Sequence, residues 1–158
     1  MNVTIRKASI DDYEDLCIIY EELDEYHRDN HPELFVKPDG PSRAKEYLTE
    51  IIEDDSKTIF VAESESKVLG FAECYILKSS SFPVIKKREW VQLDNIAVKR
   101  GYQNHHIGSL LLNKVFEWTK SKEINRIELK VYAFNSNAAS FYASKGFKDL
   151  NKTMYLNL

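Results

Sequence analysis

Leu93-Asp-Asn-Ile-Ala-Val98, then Lys99-Arg-Gly-Tyr102, then Gln103-Asn-His-His-Ile-Gly108, is the stretch that decides how this chain folds. Apolar residues fall at Val91, Leu93, Ile96 and Val98, so the two-residue alternation of a strand slips by one position between Leu93 and Ile96. A strand absorbs such a slip by carrying an extra residue, which predicts a β-bulge near Asp94-Asn95; the other reading is an unbulged strand in which Asn95 or Asp94 faces solvent. A bulge splays its neighbours and leaves backbone groups without partners. The apolar period then changes to that of a helix over 107–122, with Leu110, Leu111, Val115, Trp118 and Thr119 as its stripe. A helix start offers unpaired N–H groups and the positive end of its dipole, which suits a phosphate. The segment therefore reads as a site for a phosphorylated ligand, beside a strand with free backbone groups.

The rest of the chain builds a mixed sheet around that segment. Val3 and Ile5 alternate in a first strand over 2–7. Ser9 and Asp12 form a capping-box pattern ahead of a helix carrying Tyr13, Leu16, Cys17, Tyr20 and Leu23. His31-Pro32 and Lys37-Pro-Asp-Gly-Pro41 interrupt it, and Ser42 restarts a helix with Ala44, Tyr47, Leu48, Ile51 and Ile52 on one face. Thr58–Glu63 and Val68–Leu77 read as a hairpin around Ser64–Ser66. Ile127, Leu129 and Val131 alternate in a strand over 126–131, a short helix spans 137–145 and ends at Gly146, and Met154, Leu156 and Leu158 suggest a closing strand. The strand–helix–strand unit over 91–131 demands a parallel pair beside an antiparallel hairpin, giving a mixed α/β sheet with helices on both faces.

With 158 residues and 43% hydrophobic content, one domain over 1–158 is expected. No apolar run approaches the ~20 residues that span a bilayer, and the first residues lack a signal pattern, so a soluble cytoplasmic protein with no membrane partner is expected. A net charge of −3 lacks the basic face of a nucleic-acid binder. Cys17 and Cys74 match no metal or redox spacing and read as reduced structural thiols. His27 and His31 are four apart, but Asp29-Asn30 and Pro32 suggest that the helix has ended there, and His105-His106 point apart, so no metal site is expected.

Two motifs resemble the GCN5-related N-acetyltransferase (GNAT) family. One is Ile96-Ala-Val98 followed by Gln103-Asn-His-His106-Ile-Gly108. The other is Asn135-Ser-Asn-Ala138-Ala-Ser-Phe141-Tyr142-Ala-Ser-Lys-Gly146-Phe147. The resemblance implies the GNAT fold, a mostly antiparallel sheet with one splayed parallel pair, and an enzyme that passes the acetyl group of acetyl-CoA directly to a primary amine of a small molecule or peptide. It places the pyrophosphate on the amides of Gln103, Asn104, His105, His106, Ile107, Gly108 and Ser109. The pantetheine arm would lie along Ile96, Ala97 and Val98, with Asn135 on its other side. His106 stands where the family usually has glycine, which keeps a non-catalytic CoA-binding module as the alternative. A dinucleotide site would need Gly-x-Gly-x-x-Gly, which is absent.

Tyr142 matches the family's general acid, with a packing role beside Phe141 as the other reading. Asp94 is the candidate base, Glu73 on the adjacent strand its rival, and Asp94 also reads as a residue that only positions substrate or braces the bulge. Around the acceptor, Tyr26, His27, Pro32 and Phe35 suggest an aromatic wall. Glu21, Glu22, Asp24 and Glu25 form an acidic run that either attracts a cationic amine or is a solvated helix face. The closing strand is one that can pair across a homodimer.

Overall fold

The computed structural model describes all residues, Met1–Leu158. Five strands make one sheet in the order β1 (Thr4–Lys7), β2 (Lys57–Ser64), β3 (Lys67–Lys78), β4 (Glu89–Val98) and β5 (Ile127–Leu129). The first three pairings are antiparallel and β4–β5 is parallel. The helices are α1 (Tyr13–Asn30), α2 (Lys45–Glu53), α3 (Ile107–Ser121) and α4 (Ser136–Ser144).

Side-chain alternation along the central strands divides the interior into two cores. Ile59, Val61 and Phe71 face α1 and α2, meeting Leu16, Ile19, Leu48 and Ile51. Phe60, Ala72, Cys74, Val91 and Leu93 face α3, meeting Ile107, Leu111, Leu112 and Val115. Both faces of β2 and β3 are covered, so these strands are buried almost throughout. The β2–β3 hairpin turns on Glu65 and Ser66, both at positive φ (50° and 60°), a conformation that matches the strand twist. Ahead of α1, the Asp12 carboxylate accepts from the Ser9 N–H at 2.7 Å, as the capping pattern anticipates, and pairs with Arg6 at 2.8 Å.

Four local expectations are corrected. The closing strand is absent: residues 148–158 are irregular and exposed, because alternation alone supplies none of the ladder hydrogen bonds that make a strand. On α3 the inward residue is Leu112, while Leu110 is 40% exposed. Ala44 is the extended residue preceding α2, and Ile52 faces solvent. Finally, α1 runs to Asn30, so His27 is helical and His31 is the residue that ends the helix.

Candidate active site

The bulge falls where the phase slip places it. Glu73 pairs with Asn95 and Cys74 with Leu93, leaving Asp94 as the extra residue of β4. Pairing of β4 with β5 stops at Leu93–Leu129. Beyond it, β4 is bonded only to β3, and its other edge opens into a splay. Lys99 N–H donates to Leu69 O on β3 at 2.8 Å. Strand alternation therefore turns the N–H and C=O groups of Val98 and Ile96 the other way, into the splay. The Gln103 side chain reaches back to Val98 O at 3.3 Å. Gly70, opposite Val98, lets the strands approach: a Cβ there would lie 2.7 Å from Ala97 O.

At the end of β4 the chain enters a loop with Gly101, Asn104 and His106 at positive φ (86°, 65° and 61°). The loop amides of Gln103, Asn104, His105 and His106 donate to no protein acceptor, and α3 begins at Ile107 without a side-chain cap. Helix geometry leaves Ile107, Gly108 and Ser109 free as well. Seven consecutive N–H groups are thus available at the positive end of a 15-residue helix. His106 takes up the left-handed conformation that glycine adopts without strain.

The second motif packs against the first. Gly108 in the opening turn of α3 faces the Phe141 ring of α4, where a Cβ would stand 3.6 Å from it. Asn135 caps α4, its Oδ1 accepting from Ala138 N–H at 3.1 Å, so part of its amide has a structural role. Tyr142 packs edge-on to Phe147 (5.6 Å between centroids). Its hydroxyl has no protein hydrogen-bond partner, yet it is not sealed from solvent. Burial of the ring pushes the phenol pKa up to about 12. Packing and an available donor coexist in this one side chain.

On the α1/α2 face of the sheet lies a feature that sequence reasoning found only in part. Glu73 is fully buried and accepts four hydrogen bonds: from Tyr20 Oη and Asn95 Nδ2 (2.9 Å each), and from Tyr47 Oη and Tyr75 Oη. Burial and the Glu73 charge hold all three tyrosines well above the ordinary phenol range, so they act as donors. Asn95 Nδ2 also donates to Asp94 Oδ2 at 3.1 Å. Desolvation, then the neighbouring Glu73 charge, raises the Asp94 carboxyl, against the opposing pull of Arg43 and Lys130. Neither carboxylate makes an ion pair within the protein. Tyr20 on α1 and Tyr47 on α2 lie far from Glu73 in sequence and carried no local signal, whereas Tyr75 is two residues along β3, the spacing that puts two side chains on one strand face.

Tyr26 and Phe35 do lie in one aromatic cluster, joined to His27, His31 and, from the segment after β5, Tyr132 and Phe134. His27 has ring contacts to Phe35, Tyr132 and Phe134 at 5.4–5.7 Å. Its Nδ1 is bonded to Leu23 O at 2.8 Å, while His31 Nδ1 pairs with Glu33 at 2.6 Å. The acidic run is internally neutralised: Glu21 pairs with Arg28, Asp24 with Arg43 and Glu25 with Arg100, and Glu22 accepts from Arg100 N–H. It is an ion-paired helix face rather than a reserve of free negative charge. No group of three or more His, Cys, Asp or Glu side chains is gathered where a metal could bind, and no helix is long and apolar enough to cross a membrane.

The profile of the Acetyltransferase (GNAT) family matches residues 17–147. The chain belongs to this family. Among relatives, an uncharacterised N-acetyltransferase of Methanocaldococcus jannaschii is 29% identical over 92% of this chain and 61% of its own. Streptothricin acetyltransferase A of Bacillus subtilis is 30% identical over 60% of this chain and 56% of its own. The chain thus spans under two thirds of the length of these two relatives. Among solved structures, a mutated Bacillus halodurans protein superposes with a TM-score of 0.91 at 24% identity, covering 98% of this chain and 99% of that one. The aminoglycoside acetyltransferase AAC(6')-Iy, bound to a bisubstrate analogue of CoA, superposes with a TM-score of 0.77 at 17% identity, covering 100% and 99%. These likenesses establish the GNAT fold, with its splayed parallel pair and helices on both faces of the sheet.

Proposed function

We propose that the protein is an acetyl-CoA-dependent N-acetyltransferase acting on a primary amine of a small molecule or peptide by direct attack within a ternary complex. The run of unpartnered amides from Gln103 to Ser109 carries this reading, because it leads from the open edge at Ile96 and Val98 to a helix N-terminus, and so matches a ligand with an extended arm and a pyrophosphate. These amides would hold the pyrophosphate, Ile96 and Val98 would pair with the arm in the manner of a missing strand with Ala97 between them bonded to β3, and the free part of the Asn135 amide would face it. Acetyl-CoA supplies the reactive thioester.

The chain's own groups then manage two protons. An alkylammonium has a pKa of roughly 10 and must lose a proton before its nitrogen attacks. Asp94, an uncompensated carboxylate beside the splay, accepts that proton directly or through water. As the new C–N bond forms and the C–S bond breaks, Tyr142 donates its phenolic proton to the sulfur, and the second proton shed by the acylated nitrogen returns to the phenolate through water, which restores the acid. Its raised pKa keeps that proton in place across the neutral range. Glu73 has no basic freedom of this kind, since four donors already occupy it. We assign it to substrate binding through its charge, behind Asp94 and Asn95. Two carboxylates without a cationic partner favour a positively charged acceptor, and Tyr26 and Phe35 would wall its path. The unpaired Cys17 and Cys74 are consistent with a reducing cytoplasm.

Calorimetric titration with CoA, acetyl-CoA and NAD tests the site. CoA and acetyl-CoA are expected to bind and NAD not to; binding of NAD alone would reject the assignment.

A further inference from the structure

Two routes lead from the carboxylates Glu73 and Asp94 to the aromatic cluster. Along α1, Tyr20 bonds Glu73, and His27 and His31 follow it at spacings of seven and eleven residues, which return to the same helix face. Tyr20 and His27 are about 10 Å apart along the helix axis. Across the splay, Lys130 is near enough to Asp94 to oppose the rise in its carboxyl pKa that desolvation and Glu73 cause. Tyr132 follows Lys130 by two residues in an extended segment, so the two share a side. Both routes end on the same rings: Tyr132 lies 5.4 Å from His27 and 5.5 Å from His31, and stacks on Phe134 at 5.7 Å. Tyr26 and Tyr132 each keep 40% of their surface exposed, so the cluster has ring area left after its own packing.

Charge is distributed as unevenly as apolar surface. Glu73 and Asp94 stand outside every ion pair of the protein. The carboxylates around the rings are engaged: Glu33 pairs with His31 at 2.6 Å, Asp24 with Arg43 and Glu25 with Arg100. Asp29, nine residues from Tyr20, lies on the opposite face of α1. Lys130, which makes no ion pair, adds a positive charge beside the route. A second ammonium on the acceptor would meet Lys130 and find no free carboxylate among the rings. A flat ring would find faces and edges to pack on.

Resting on the acetyltransferase reading above, we propose that the acceptor is a primary amine with one positive charge and a planar aromatic group. Its ammonium lies at Asp94 and Glu73, and its ring sits among Tyr26, His27, Phe35 and Tyr132. The carboxylates select for charge and the rings for shape. A ring-to-ring contact strengthens binding by about twofold to tenfold beyond the area it buries, which separates an aromatic amine from a saturated one of the same size. An amine with a second charge at its far end loses that gain and carries its own desolvation cost into the cluster.

Three amines of similar reach test the subsite: 2-phenylethylamine, 2-cyclohexylethylamine and 1,5-diaminopentane. With acetyl-CoA, kcat/KM is expected to be about tenfold higher for the phenyl than for the cyclohexyl amine, with the diamine below both. Tyr132→Leu and Phe35→Leu should each lower the phenyl-to-cyclohexyl ratio by about threefold or more, through KM rather than kcat. Calorimetric titration of the CoA-loaded protein with the same amines reads the subsite without transfer, and the same order of affinity is expected. A phenyl-to-cyclohexyl ratio near one in wild type, or a preference for the diamine, would overturn the aromatic subsite, while turnover of any of the three would still uphold the transferase reading. Absence of transfer with the phenyl preference kept in titration would overturn the transferase reading and support the subsite. The wild-type comparison needs no variant, so it stays decisive if a substitution disturbs folding.

Discussion

Glu73 and Asn95 are cross-strand partners on β3 and β4, and the Asn95 amide donates to the Glu73 carboxylate at 2.9 Å. The same nitrogen lies 3.1 Å from Asp94, so one side chain joins a buried carboxylate to an accessible one. The bulge makes this possible: without the extra residue, Asp94 and Asn95 would face opposite sides of the sheet. The irregularity that leaves the strand edge open at Ile96 and Val98 thus also brings Asp94, Asn95 and Glu73 together.

Asp94 gives a pH signature. Desolvation and then Glu73 raise its carboxyl pKa, so it stays protonated to higher pH than an ordinary aspartate and is a poorer proton acceptor in mild acid. In wild type, kcat/KM is expected to fall with decreasing pH through a value above 3.8. Asp94→Asn should remove that limb and lower kcat by about 10²–10⁴-fold. Because the folded pKa is raised, ionising Asp94 costs stability as pH rises through it. Asp94→Asn should therefore be no less stable than wild type at pH 7 and lose any advantage in acid. A pH–rate series with parallel denaturation reads both; unchanged turnover would remove Asp94 from the proton path.

Tyr142→Phe separates acid from packing. The ring contact with Phe147 survives, and no protein hydrogen bond is lost. We expect stability within about 0.5 kcal/mol of wild type, CoA affinity unchanged, and kcat reduced by about 10²–10⁴-fold. Equal turnover would leave Tyr142 a packing residue.

At His106, glycine should stabilise the fold. A non-glycine residue at φ 61° carries a cost of about 1–2 kcal/mol. His106→Gly is expected to recover about 1 kcal/mol in urea denaturation, while CoA binding by calorimetry stays within about tenfold, about 1.4 kcal/mol. A much larger loss of affinity would mean that the imidazole itself contacts the ligand.

The Glu73 cage is a structural commitment as well as a charge. Tyr20→Phe deletes one of four donors to a carboxylate with no exposed surface, which should cost about 1–3 kcal/mol. If denaturation moved by less than a few tenths of a kcal/mol, water or a neighbouring hydroxyl would be supplying the missing bond.

The phase slip between Leu93 and Ile96 was legible because a strand's period is rigid, and the two motifs fell on the helices expected. What escaped was set by distance in sequence. Tyr20 and Tyr47 converge on Glu73 across separations that no local period records, whereas Tyr75 shares its strand face two residues along, and Tyr132 and Phe134 join the Tyr26–Phe35 wall from the segment after β5. The acidic run read as candidate surface charge because its partners Arg43 and Arg100 lie far along the chain. Met154, Leu156 and Leu158 show the converse: their alternation is plain, yet a strand also needs ladder hydrogen bonds, and no sequence period supplies them.

The central claim is chemical transfer, and mass-resolved acetylation tests it most directly. Purified protein would be incubated with acetyl-CoA and a panel of polyamines, aminoglycosides and peptide amines, following free thiol and acetylated product together, with Tyr142→Phe alongside. The expected result is amine-dependent thiol release matched mole for mole by an N-acetylated cationic amine, and strongly slowed in the variant. Tight CoA binding with no transfer to any amine in the panel would contradict it and leave the fold a CoA-binding module.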